Sequence, residues 1–230
     1  MISHKHKCIF IHIPKTAGSS VNYHLNGGLK LDWKIPNYEF LYGWCPKRRI
    51  HLQHATAKQM LEFGLVTEDQ WKDYFKFTFV RNPWDRAYSD YLWVKQDVKI
   101  KGSFEDFLLK QNNFEGVLRD NSDKIYRGDH LMPQTDFFDF KENESYTLDM
   151  VGRFENFKMD FDKIKSILKI NSNKEYFEKR NNKKLSYYDF YSRSQIKLVR
   201  SIYGKDIELL NYKYPCQIEI IKNKLVKKFK

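Results

Sequence analysis

Two short stretches carry most of the groups able to bind and polarise a phosphate ester. In the first, PKTAGSS, Lys15 is followed by Thr16, Ala17, Gly18, Ser19 and Ser20. A lysine charge, three hydroxyls and a run of backbone N–H groups at a helix start are what an anion requires. Gly18 lets the backbone approach that anion, because a side chain there would hold it off. In the second, VRNPWDRAYSDY, seven positions separate Asn82 from Ser89. That is about two helical turns, so Ser89 shares a face with the helix entrance, where Arg81 leaves its strand. A planar guanidinium and a hydroxyl converging there suit a second, terminal phosphate. His51 and His54 lie between the two stretches, and imidazole, with an unperturbed pKa of about 6.5, accepts a proton near neutrality. An H-x-x-H pair also has the look of metal ligands, but no carboxylate or cysteine close in sequence completes a set, and no metal is expected.

These groups need elements to hold them. Cys8, Ile9, Phe10, Ile11 and Ile13 form an apolar run expected of a parallel strand covered on both faces, ended by Pro14 and followed by a helix over 19–25. Phe77, Phe79 and Val80 read as a second buried strand; Asn82 suits a helix cap and Pro83 its first position. Trp84, Tyr88, Tyr91 and Leu92 share that helix's core face. Residues 50–56 read as a strand leading into a helix over 57–63. If 50–54 is extended, His51 and His54 point to opposite faces, and His54 lies nearer the strand end, where sites collect in open parallel sheets. Thr67 and Ser103 start further helices, 148–154 is a later strand running into a helix to 168, and 192–203 and 205–212 are helical. The stretch 26–49 reads as irregular; its Trp33, Tyr38, Tyr42 and Trp44 are of a type that either stacks on sugar rings or forms a satellite hydrophobic cluster.

Lys15 precedes Gly18, the reverse of the G-x-x-x-x-G-K-[ST] order of P-loop nucleotide phosphotransferases. PKTAGSS instead resembles the 5′-phosphosulfate loop of sulfotransferases that use 3′-phosphoadenosine-5′-phosphosulfate (PAPS), especially the carbohydrate group that includes the heparan and chondroitin enzymes. FTFVRNPWDRAYSDY resembles their 3′-phosphate motif, with Arg81 and Ser89 matching residue by residue. The resemblance implies an α/β fold with a P-loop-like central parallel sheet and helices on both faces. It further implies that Lys15, Thr16, Ala17, Gly18, Ser19 and Ser20 hold the 5′-phosphosulfate, that Arg81 and Ser89 hold the 3′-phosphate, and that 3′,5′-ADP is the product. A catalytic histidine stands between the motifs in such enzymes, which favours His54, assisted by Lys15 at the leaving phosphate. His130, Pro133 and Gln134, and the segment GRFENF over 152–157, resemble segments of bacterial members. Relatives close a basic loop over the nucleotide from the region of 171–185; there Arg180 is either a third phosphate ligand or part of a solvated charge run.

At 230 residues and 41% hydrophobic the chain suits one domain, 1–230, with a basic tail from about 215. The net charge of +12 favours an acidic partner: a nucleotide, an anionic glycan, a nucleic acid or a membrane surface. Cys8, Cys45 and Cys216 are widely spaced and odd in number, which suggests neither a disulfide framework nor a zinc site. No secretory pattern or membrane-length apolar run is present, so a cytoplasmic location is expected. The end KNKLVKKFK over 222–230 is suited to peripheral contact with an anionic membrane, or to fraying. The reading is therefore a PAPS-dependent sulfotransferase acting on a hydroxyl of a saccharide or surface glycan. One alternative is a P-loop small-molecule kinase, which needs magnesium ligands not found here. Another is a non-enzymatic nucleic-acid-binding module, which would bind polynucleotide in a salt-sensitive way without donor specificity.

Overall fold

The computed structural model describes residues 1–138, 148–170 and 186–215. Its strands are β1 (Ile2–Ser3), β2 (Cys8–Ile11), β3 (Trp44–Cys45), β4 (Ile50–His51), β5 (Phe75–Val80) and β6 (Met150–Arg153). Four of them form one sheet in the order β1-β2-β5-β6. The centre is parallel, with Ile11 opposite Thr78 and Val80 opposite Arg153, while β1 runs antiparallel along β2. All of β2 and all but the first residue of β5 are buried, which is why their sequences are nearly continuous apolar runs. Because β2 and β5 are parallel neighbours, the loops that follow them emerge at the same edge of the sheet.

The helices are α1 (Gly18–Leu25), α2 (Ala57–Glu62), α3 (Glu68–Asp73), α4 (Pro83–Asp97), α5 (Phe104–Leu109), α6 (Glu115–Arg119), α7 (Phe157–Ile167), α8 (Tyr187–Phe190), α9 (Arg193–Ile202) and α10 (Gly204–Leu209). Strand alternation assigns them to faces. Phe10, Phe77 and Phe79 pack against Val21 and Leu25 of α1 and Phe157 and Phe161 of α7. Ile9, Ile11 and Val80 pack on the opposite face against Ala57 and Met60 of α2 and Trp71 of α3. A third cluster gathers α5, α6 and α9 around Trp84, Tyr88 and Tyr91 of α4, with Leu92 partly buried beside them. This is the expected α/β arrangement of a parallel sheet centre with helices on both sides. Capping boxes start α2 (Thr56 with Gln59), α3 (Thr67 with Gln70), α5 (Ser103 with Asp106) and α9 (Ser192 with Gln195). Each satisfies two backbone donors that the helix itself leaves unpaired. Among the described residues no helix is long and apolar enough to cross a membrane.

One expectation fails in a way that matters for the site. Residues 50–54 are not an extended strand: only Ile50 and His51 are, and they pair with β3 in a separate antiparallel ribbon. Leu52–His54 is a 3-10 turn. Gln53 Oε1 accepts the Gly43 N–H at 2.8 Å, the Leu52 N–H donates to the Gly43 carbonyl at 2.9 Å, and Leu52 is fully buried. Burying Leu52 while Gly43 holds the neighbouring backbone rolls the chain over, so the strand rule of opposite faces does not apply to the two histidines. The aromatics of 26–49 divide: Trp44 is buried against His51 with ring centroids 5.0 Å apart, and Trp33 lies 5.1 Å from the Arg127 guanidinium.

Candidate active site

The loop after β2 is wound tightly. Thr16, fully buried, donates its hydroxyl to the Ile13 carbonyl at 2.7 Å. Its side chain therefore closes the turn, and its N–H is what remains for a ligand. Lys15 and Ala17 both take left-handed backbone angles, φ 68° and 74°, a conformation uncommon for residues with a side chain. The N–H groups of Thr16, Ala17, Gly18 and Ser19 have no acceptor among the described residues, whereas the Ser20 N–H bonds the Ala17 carbonyl at 3.0 Å. A sharply turned run of open N–H groups at a helix start has the form that suits an anion. Ser19 is exposed at its rim and Ser20 is buried.

Gly18 has a nearer reason to be glycine than the approach of an anion. A Cβ built there would lie 1.8 Å from His12 Nε2, so the imidazole occupies the space. Gly18→Ala is expected to push His12 aside and to destabilise the fold by about 1–3 kcal/mol, the usual cost of overpacking. Thermal melting of the variant checks this, and an unchanged midpoint would contradict the contact.

Arg81, at the end of β5, joins the two motifs physically. Its Nη1 donates to the Lys15 carbonyl at 2.9 Å, its Nε to Asp85 Oδ2 at 2.8 Å, and its guanidinium lies 4.1 Å from the centre of the Phe154 ring. Nη2 makes no hydrogen bond to a described residue. Its backbone is gripped by the fully buried Gln134, whose Oε1 accepts the Arg81 N–H and whose Nε2 donates to the Arg81 carbonyl, both at 2.8 Å. Asn82 caps α4 as expected, accepting from the Trp84 N–H at 3.1 Å. Ser89, half-buried two turns into α4, offers a hydroxyl with no partner among the described residues. The buried Arg86 donates to the carbonyls of Pro14 (3.2 Å), His130 (2.8 Å) and Met132 (2.9 Å). One guanidinium thus fastens the loop after β2 to the segment around His130.

Beside this edge lies a cluster of four histidines. His54 Nδ1 is 2.5 Å from Asp129 Oδ2, and His130 Nδ1 is 2.6 Å from Asp90 Oδ1. The His54 ring is 5.0 Å from those of both His12 and His130, and 6.0 Å from that of His51. His51 and His54 therefore converge instead of facing apart. His130 stacks flat on Trp93, at 4.6 Å and 2°, and Lys15 Nζ sits 5.1 Å from the centre of the same indole. Among the described residues, every buried side-chain polar atom without a hydrogen-bond partner is here: His12 Nδ1, His51 Nδ1, Asp90 Oδ2 and Asp129 Oδ1. Four such atoms in one place mark a site shaped for a polar ligand, since buried polar groups are otherwise paired.

The electrostatics follow from burial. Burial pushes His54 below the ordinary histidine value and outweighs the opposing pull of Asp129. Burial likewise lowers His12 strongly and takes His51 down to about 4. For Asp129 burial acts upward, but the charge and hydrogen bond of His54, with His130 and His51 beyond, hold its carboxyl well below the usual range. At neutral pH the pair is an ionised carboxylate accepting from a neutral imidazole. With the proton on Nδ1, His54 Nε2 carries a lone pair.

Lys15, Gly18 and His54 are linked across His12 and Trp93–His130, and Arg81 is bound to the Lys15 carbonyl. Arg180 and the basic tail lie outside the described residues, as does Cys216. No carboxylate close in sequence accompanies the histidines, but in space one does: Asp129 comes from 75 positions away. Asp129, Asp90, His12 and Trp93 were not legible as site residues. The available signals were the neighbour of Asp129, His130, and the polar His12 inside an otherwise apolar strand exit.

A comparison with family models matches residues 1–213 to the sulfotransferase family. No curated protein and no solved structure matches the chain.

Proposed function

Since the chain belongs to the sulfotransferase family, we propose that it transfers the sulfuryl group of PAPS to a hydroxyl of a saccharide or surface glycan, as a cytoplasmic enzyme of polysaccharide biosynthesis. The observation that carries this reading is the union of the two motifs. The loop holding Lys15, with its open N–H groups, is bonded directly to Arg81, and Lys15 rests on the Trp93 indole whose other contact, His130, adjoins a histidine paired with a buried aspartate. Neither the kinase nor the nucleic-acid-binding alternative is favoured by the family found.

In this reading the acceptor hydroxyl gives its proton to His54 Nε2 as its oxygen attacks sulfur, and the bond from sulfur to the 5′-phosphate oxygen breaks. Asp129 keeps the imidazole in the tautomer that presents Nε2 and stabilises the imidazolium that forms. The leaving phosphate gains negative charge, which the N–H groups of residues 16–19 and Lys15 meet more strongly in the transition state than in the ground state. His51 serves less well as the base, because its Nε2 is already 3.2 Å from both the Tyr126 carbonyl and Arg127 Nη1 and its other nitrogen, Nδ1, is buried. Arg81 Nη2 and Ser89 take the 3′-phosphate, away from the bond that breaks. No metal enters the transfer, so activity should persist in a chelator.

Arg81→Ala should remove most of the preference for 3′,5′-ADP over 5′-AMP, a loss of about 10- to 100-fold from one charge-assisted pair worth ~1.5–3 kcal/mol. Calorimetry with both nucleotides checks this, and a preference retained in the variant would move the 3′-phosphate elsewhere. The activity itself is tested with sulfur-35-labelled PAPS and a panel of glycans. Label in a glycan with an equal amount of 3′,5′-ADP released is expected, and label recovered only as free sulfate across the panel would count against a saccharide acceptor.

A further inference from the structure

The histidine cluster has a second chemistry. Ligand-type atoms of His54, Asp129 and His130 all lie within 4.8 Å of one another. His130 is held by its Nδ1 on the buried Asp90 at 2.6 Å, the arrangement in which a carboxylate orients an imidazole and raises its basicity toward a metal at the other nitrogen. Asp129 Oδ1, the oxygen His54 does not use, has no hydrogen-bond partner, and neither has Nδ1 of His12, whose ring is 5.0 Å from that of His54. Two imidazoles and one carboxylate, with the His12 ring standing beside them, are a nitrogen-rich donor set with one hard oxygen. Such a set suits zinc and its neighbours and not magnesium, which demands oxygen ligands.

From this we propose that His54, Asp129 and His130 form a binding site for a divalent ion of the zinc class, with His12 beside it, and that the ion inhibits transfer reversibly. Inhibition rests on the assignment of His54 as base. An ion held by its imidazole removes the lone pair that would take the acceptor's proton, and it stands where the acceptor hydroxyl must enter. The binding step does not rest on that assignment.

The test uses the full chain stripped of metal and titrated with Co²⁺, whose visible absorption reports a low-coordinate nitrogen and oxygen site. One Co²⁺ per chain is expected, with bands that Zn²⁺ abolishes by displacement. His130→Ala and Asp129→Asn should each lose the bands. The double variant His4→Ala/His6→Ala should keep them, which separates this site from the other histidines near the chain start. X-ray absorption of Co²⁺ in the unaltered protein should show imidazole ligands, so the site can be judged even if a cluster variant fails to fold. Zn²⁺ at the occupancy seen by displacement should stop sulfuryl transfer, and a chelator should restore it. No bands with Co²⁺, bands unchanged in both cluster variants, or X-ray absorption without imidazole would overturn the site. Full transfer activity with the site filled would overturn the inhibition. Absorption reads binding whether or not His54 is the base, so failure of this site and failure of the base assignment are separate results.

Discussion

His54→Ala should slow single-turnover transfer by about 10²–10⁴-fold, the range for loss of a general base, while 3′,5′-ADP binds with near wild-type affinity. The separation is expected because the proposed mechanism gives the imidazole the acceptor's proton and leaves the nucleotide to the loop after β2 and to Arg81. Asp129→Asn should slow the same step, since an amide cannot hold the imidazolium that forms against a buried negative charge. His51→Ala should mainly affect stability, because His51 is wedged between Trp44, the Tyr126 carbonyl and Arg127. If His51→Ala loses the rate and His54→Ala keeps it, the roles are reversed. The experiment is run in chelator, so that adventitious metal on the cluster does not mimic either result.

Lys15→Ala should lower turnover by about 10²–10³-fold, the cost of removing one preorganised donor from a developing anion, with a much smaller loss of ground-state donor affinity. The split follows from where the charge appears. The leaving phosphate becomes more negative as the bond to sulfur breaks, so a cation aimed there is worth most in the transition state. Lys15 Nζ rests near the indole of Trp93, on which His130 stacks, so it borders both the loop and the histidine cluster. A variant that keeps full turnover but binds PAPS weakly would make Lys15 a ground-state ligand only.

The parts legible in the sequence were those fixed by local chemistry. The apolar runs of β2 and β5, Asn82 and Pro83 at the start of α4, and Thr67 and Ser103 as helix starts all depend on neighbours a few positions away. The α/β fold class followed from the resemblance that the two motifs carry, and the apolar runs supplied its buried parallel strands. What was not legible depends on distant partners. The turn at Leu52–His54 is made by Gly43 and by burial of Leu52, so a short apolar stretch resembling a strand is rolled into a 3-10 turn. Asp129 reaches His54 across 75 positions and Gln134 grips Arg81 across 53. No spacing rule connects residues that far apart. Gly18 shows the same limit: glycine was expected there for an anion, and the reason nearest at hand is the His12 ring.

The most direct measurement of the central claim is a calorimetric comparison of 3′,5′-ADP, 5′-AMP and ATP on the unaltered protein in the presence of chelator. The account predicts that 3′,5′-ADP binds at least tenfold more tightly than 5′-AMP, because only it engages both the loop after β2 and Arg81 with Ser89, and that ATP, lacking a 3′-phosphate, shows no such gain. Equal affinity for 3′,5′-ADP and 5′-AMP, or tight binding of ATP that appears only when Mg²⁺ is supplied, would contradict it.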